Sequence, residues 1–275
     1  MEDRESSSRG CPWHSIDIPG DHDPHVDALL APRAKEASTL RCRVRRVDRH
    51  QLELFVEAGY TFVLSAVRSG RDWLISDRPL QSAGKRGHIA RLRAHKDSSY
   101  TCVRSRHEES NVQPEILFVR HCTREMDDDL PPLNVLQGAF PLPPADEFAR
   151  LHPWERERLC LGARLPPPAE DLAAGELAMQ TRLAVENKQR PPEGVAVVVS
   201  RMPKWNERSQ TYELPFVGRA NWASARNFQL VEQGGSGERV ILLYGKMEEN
   251  EFAMDFAHPL SFLHAFAICL TTFAW

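Results

Sequence analysis

The chain has little of what marks several large functional classes. It contains no Gly-x-Ser-x-Gly elbow, no phosphate-cradling loop ending in Gly-Lys-Ser/Thr and no His-Glu-x-x-His pair. The motif-bearing hydrolases, P-loop nucleotide-binding folds and zinc peptidases therefore find no footing. The six cysteines, Cys11, Cys42, Cys102, Cys122, Cys160 and Cys269, are scattered and form no Cys-x-x-Cys. That argues against a disulfide framework or a zinc knuckle and fits a cytosolic or nuclear setting. The opening MEDRESSSRG is charged and polar, unlike a secretory signal. No charged side chain follows Asp255.

What replaces charge there is the run HPLSFLHAFAICLTTFAW. From Leu260 onward only Ser261, His264, Thr271 and Thr272 are polar. As a helix from Pro259 to Trp275 the run would be about 25 Å long, at about 1.5 Å per residue. A bilayer core needs about 20 apolar residues, and this stretch is shorter and carries His264. Its few polar positions make no broad polar face, so it does not read as an amphipathic surface helix either. A helix apolar nearly all round belongs in a core. Pro259 is placed in its first turn, where the missing N–H costs nothing.

The net charge of −3 conceals an asymmetry. Between Arg41 and Arg106 there are fifteen Lys/Arg and six Asp/Glu, a balance of +9, leaving about −12 for the rest of the chain. A basic block inside an acidic chain points to an anionic partner: phospholipid headgroups, nucleic acid or an acidic protein. If the arginines pair with neighbouring acids, the same block is an ordinary solvated face.

Residues 1–38 are polar, rich in Ser, Asp, Pro and His, and read as a disordered or loosely attached segment. Its DHDPH cluster is not read as a metal site, because ligation needs a fixed geometry that such a tail does not supply. From Leu40 the pattern turns to strands. RCRVRRV alternates, with Cys42, Val44 and Arg46 on one face. LELFVEA and YTFVLSAV flank Gly59 as a hairpin, and DWLISDRPL follows the turn RSGR. GHIARLRAH reads as a short helix or as a strand with basic flanks, and SYTCVRSR and EILFVRHC as strands. Residues from about 126 to 175 are rich in proline and read as an insertion with too little apolar content for a core of its own. ELAMQTRLAVENK fits strand or helix. GVAVVVSRM, TYELPFVGRA, RNFQLVEQ, RVILLYGKM and EFAMDFA read as further strands. Ten to twelve short strands before one oily helix pack most economically as a closed or nearly closed antiparallel barrel around it.

The stretch KWNERSQTYELPFVGRANWASARNFQLVEQ, Lys204 to Gln233, resembles the signature of the tubby-like proteins. YGKMEENEFAMDFAHPLSFLHAFAICLTTF, from Tyr244, is similar to the end of that family's domain, where a strand leads through a Pro-Leu step into an apolar helix. RCRVRRV and GHIARLRAHKDSSYTCV resemble its first strand and a Lys/Arg-Leu-Arg segment upstream, while 107–195 carries almost no likeness. The resemblance implies an α+β, mainly β fold: a roughly twelve-stranded closed antiparallel barrel over 39–275, enclosing a central C-terminal helix. It also implies binding of phosphoinositide headgroups, especially doubly phosphorylated phosphatidylinositol, at the cytosolic leaflet. The implied role is that of a membrane-tethered adaptor or regulator with protein cargo or trafficking complexes as partners, in some cases at the cilium. No enzyme activity, cofactor, metal or transmembrane segment is implied, and a nucleic-acid-associated regulatory role is the alternative.

On that resemblance the headgroup contacts fall on Arg68 and Arg71 in VRSGRDW and on Arg91 and Arg93 in IARLRAH. A guanidinium presents a planar fork of donors to phosphate oxygens. The family's basic hairpin tip is longer than this one, which contains Gly70 and Asp72; affinity or headgroup preference changes accordingly. Lys85, Arg86 and Lys96 add unspecific attraction. Other constellations read as structural. His121 and Cys122 are neighbours on a strand and point to opposite faces, so one cannot activate the other. Asp127 to Asp129 form a solvated acid run rather than a calcium loop. His264 reads as a hydrogen-bonded core histidine, and Trp73, Trp205 and Trp222 as packing residues rather than base-stacking platforms.

Overall fold

Strict alternation on the first strand sets the architecture. Cys42 and Val44 are fully buried, while Arg43 between them is half-buried and Arg41 and Arg45 on either side are exposed. A strand whose side chains alternate in this way must line a core on one face only. The structure, a computed structural model, describes residues 33, 38–80, 88–105, 115–126, 130–142, 175–191, 193–234 and 239–273. Twelve strands close into an antiparallel barrel: β1 (Leu40–Asp48), β2 (Gln51–Val56), β3 (Thr61–Ser69), β4 (Asp72–Ser76), β5 (Ala90–Ala94), β6 (Ser99–Arg104), β7 (Glu115–Arg124), β8 (Leu133–Pro141), β9 (Val195–Ser200), β12 (Phe228–Glu232), β13 (Val240–Lys246) and β14 (Glu251–Phe256). The barrel shuts where β1 pairs with β14, Val44 opposite Phe252. Among the described residues the short strands β10 (Lys204–Asn206) and β11 (Thr211–Glu213) pair only with each other.

Helix α2 (Phe262–Thr271) fills the barrel, and nine of its ten residues are buried. It is shorter than the sequence suggests. Ser261 takes the N-cap position, its Oγ accepting from the His264 N–H at 3.1 Å, so Pro259 lies in the turn before the helix rather than in its first turn. A capping hydroxyl satisfies a donor that an oily segment would otherwise leave orphaned. The apolar wall against α2 includes Trp73, Phe140, Phe252, Phe256 and Tyr244, all fully buried.

Several segments settle differently from their sequence pattern. GHIARLRAH is strand β5, and ELAMQTRLAVENK holds helix α1 (Glu176–Val185). α1 lies outside the barrel, where Leu177 and Ala184 pack on Phe118, Ala139 and Val197. The expected insertion at about 126–175 contains a barrel strand, because β8 inside it pairs with both β7 and β9. Its prolines flank the alternating run LNVLQGAF rather than interrupt it. TYELPFVGRA is only partly strand. After Glu213 the chain turns at Val217 (φ 49°) and Gly218 (φ 75°) and crosses the outside of β13. There a Cβ on Gly245 would meet the Ala220 Cβ at 2.8 Å and collide with the Arg219 carbonyl. Arg33, within the segment read as loosely attached, donates its backbone N–H to the Leu260 carbonyl at 3.0 Å. Asp127 to Asp129, Lys85, Arg86 and the DHDPH cluster lie outside the described residues.

Two interior histidines make stability depend on pH. Burial drives His264 down to about 4, partly offset by a bond to the Ile116 backbone, and its Nδ1 has no hydrogen-bond partner among the described residues. Burial also drives His121 down to about 4, and its Nε2 meets Thr271 Oγ1 at 2.8 Å. Both rings stay neutral in the folded barrel but take up protons in the unfolded chain below about 6.5. Their contribution is therefore complete above about pH 6.5 and is lost as pH falls toward about 4. We expect each to remove about 2 kcal/mol between pH 7 and pH 5. Urea titrations at the two pH values measure the loss, and His264→Gln should shrink it.

Candidate anion-binding rim

The basic block resolves into two parts. On β1, Arg43 and Arg45 are engaged by acids. Arg43 donates to Glu57 and to Glu251, each at 3.0 Å, and Arg45 to Glu53 at 2.5 Å. Arg219 reaches in from the crossing segment to Asp255 at 2.5 Å and Glu57 at 3.1 Å. Burial raises the Glu57 carboxyl, but the bonds from Arg219 and Arg43 outweigh it and hold it below its ordinary value. The reading of arginines paired to nearby acids thus holds for Arg43 and Arg45 of β1.

The second part lies at the barrel end that carries the β3–β4 turn, where α2 finishes. Gly70 (φ 63°) makes the tight turn between Ser69 and Asp72. Antiparallel pairing then brings β5 alongside, Leu74 opposite Arg91 and Trp73 opposite Leu92. Ala90 and Leu92 are fully buried, so Arg91 and Arg93 stand on the outer face, both exposed. Arg68 is opposite Trp73 and shares its inward side; its guanidinium carbon lies 6.0 Å from the Trp73 ring centre. Arg71 sits on the turn itself and donates to the His95 carbonyl at 3.4 Å. Burial raises the Tyr100 hydroxyl, and the charges of Arg68 and Arg71 oppose that rise, which places both cations near one phenol.

The four arginines thus occupy one rim but not one pocket. Arg68 is at the mouth, Arg71 on the lip, and Arg91 and Arg93 on the outside wall. Arg91 is engaged by Asp72 through Nε at 2.9 Å and Nη2 at 2.7 Å. The mouth carries further cations that the sequence reading did not select. Arg226 lies 4.9 Å from the Phe273 ring centre, Phe273 meets Trp73 edge-on at 6.5 Å, and Arg46 holds Asn250 on the same end of β1. No local signal links Arg226 to Arg68; only closure of the barrel does. Of the tryptophans, Trp73 is inside the barrel and Trp205 packs on Tyr212. Trp222 is about half exposed beneath Lys246, not packed as the sequence suggests. His121 and Cys122 diverge as expected: His121 turns to α2, and Cys122 sits opposite Val135 on the outer side.

Residues 155–275 match the model of the Tub family, over β9 to β14 and the interior helix. Over this stretch the chain is similar to the tubby-like family. Tubby protein homolog 1 of Caenorhabditis briggsae is 37% identical over 91 residues, covering 33% of this chain and 21% of that protein. Tubby-like F-box protein 3 of Arabidopsis thaliana is 44% identical over 87 residues, 30% of this chain and 21% of that one. Protein king tubby of Drosophila pseudoobscura pseudoobscura is 35% identical over 94 residues, 34% and 20% respectively. The aligned part is about a fifth of each relative's length. The family match stops short of β1 to β8, so the strands that build the cationic rim lie outside it.

Proposed function

We propose that this protein is a tubby-like, phosphoinositide-binding adaptor, not an enzyme, that docks peripherally on the cytosolic leaflet and presents protein cargo or trafficking complexes there. The observation that carries the reading is the rim: three adjacent strands bring Arg68, Arg71, Arg91 and Arg93 to one end of a barrel whose interior is filled by its own helix. A phosphoinositide headgroup concentrates several negative charges within about 10 Å, and each basic residue near an anionic leaflet contributes about 1 kcal/mol. Attachment of this kind is reversible and sensitive to salt. Among the described residues no helix is long and apolar enough to cross a membrane, which leaves surface contact to the cations.

Sedimentation with phosphatidylcholine vesicles, with and without phosphatidylinositol bisphosphate, tests the proposal. Retention should require the phosphoinositide. Arg93→Ala should weaken it about fivefold, more at low salt than at high. Equal retention on both vesicle types would overturn the reading. A DNA mobility shift that persists at about 150 mM salt, without lipid preference, would favour a nucleic-acid partner for the same face.

A further inference from the structure

Within the rim, one acidic side chain makes the contacts that a bound phosphate would make. Asp72 Oδ2 accepts from Arg91 Nε at 2.9 Å and Nη2 at 2.7 Å. Its Oδ1 accepts from the backbone N–H of Ala94 at 2.9 Å. A guanidinium fork together with a main-chain donor is a common way for proteins to hold phosphate oxygens. The strand register explains why the carboxylate lies there. With Leu74 opposite Arg91, the same register carried two residues further sets Asp72 across from Arg93 and diagonal to Arg91, within reach of a long side chain. The β3–β4 turn at Gly70 holds Asp72 at the start of β4, so the carboxylate is fixed by the same turn that presents Arg71.

We infer that Asp72 is an internal competitor for the anion site. Arg91 meets a lipid phosphate only when that phosphate displaces the Asp72 carboxylate. The inference rests on the phosphoinositide reading above and adds the device that sets its threshold. Asp72 is the more enclosed partner, with 17% of its side chain exposed against 46% for Arg91. The arginine is therefore the group that swings out to an incoming phosphate while Asp72 keeps its bond to Ala94. In the resting protein Asp72 cancels one of the four rim charges.

Asp72→Asn separates the two roles of this side chain. The amide oxygen can still accept from Ala94, while the amide nitrogen turns donors toward the guanidinium and releases Arg91. An exposed ion pair of this kind contributes little to stability, so the variant should fold, and its urea midpoint verifies that. On phosphatidylcholine vesicles containing phosphatidylinositol bisphosphate we expect Asp72→Asn to bind about fivefold more tightly, the effect of one restored cation. Arg91→Ala should weaken the wild type as well, because it leaves the Asp72 carboxylate uncompensated in the rim. In the Asp72→Asn background it should remove the whole gain. Asp97→Asn is the control for net charge: Asp97 lies in the β5–β6 turn at the same barrel end, and its carboxylate binds Ser99 at 2.6 Å.

No gain in Asp72→Asn, an equal gain in Asp97→Asn, or a gain that survives Arg91→Ala would each overturn the inference. If the wild type binds and Asp72→Asn binds no better, the competitor fails and the membrane reading stands. If only Asp72→Asn binds, the competitor is upheld and the native protein is not a phosphoinositide binder on its own. If neither binds, both fail.

Discussion

Phe266→Ala is expected to lower the stability of the domain by about 3–5 kcal/mol, the range seen when a fully enclosed aromatic side chain is deleted. Phe266 has no exposed surface. It sits on a helix surrounded by a wall whose strands are all paired on both sides, so the wall cannot relax inward to fill the space, and the cavity term is retained. Domains of this size are stable by about 5–15 kcal/mol, and the variant should move the urea midpoint far or fail to accumulate folded protein. Phe262→Ala provides the comparison. Phe262 packs edge-on against Phe256 with ring centres 5.2 Å apart but is only partly buried at the helix start, and its loss should cost clearly less. Equal costs for the two would contradict a barrel organised around the middle of α2.

Arg219→Met is expected to cost a similar amount, about 3–5 kcal/mol, for a different reason. Arg219 and Asp255 keep only 12% and 8% of their side chains exposed, and Arg219 also bonds Glu57 and the Cys42 carbonyl. Methionine preserves much of the apolar stem but strands the Asp255 carboxylate on the wall of the barrel. The same arginine anchors the turn in which Val217 holds a left-handed backbone conformation at φ 49° while 92% exposed. A β-branched residue resists that conformation, and such strain persists only where the surroundings over-determine it. Releasing the anchor should therefore also free the crossing segment, read as faster amide exchange at 216–222. Arg219→Met/Asp255→Asn should recover part of the lost stability, since the uncompensated charge is then gone. A cost below about 1 kcal/mol for Arg219→Met would place the pair in the class of surface bridges.

These two sites differ in how readable they were. The enclosed helix was evident from a run of side chains with no charge after Asp255, because a segment that hydrophobic has few places to go. Its start was misread by a few residues, since a capping serine and a proline compete for the same turn and only the backbone geometry separates them. β5 was ambiguous in sequence because IARLRA suits either a short helix or a strand; pairing with β4 and β6 decided it. β8 is masked in sequence because prolines crowd both of its flanks. Arg219 fell within the segment carrying the family resemblance, but nothing local showed that its partners are Asp255, 36 residues on, and Glu57, 162 residues back.

What the sequence determined alone was the period-two alternation of the strands, the oily segment that must be enclosed, and the excess of arginine in the first third of the barrel. Those follow from composition and spacing, which act locally. What only the tertiary structure decided was which of those arginines are spent. Arg43 meets Glu251 across 208 positions of chain, Arg91 meets Asp72 through the register of two strands, and Arg68 shares a mouth with Arg226. In salt water charges are screened beyond about 10 Å, so pairing depends on the closure and stagger of the barrel rather than on order along the chain.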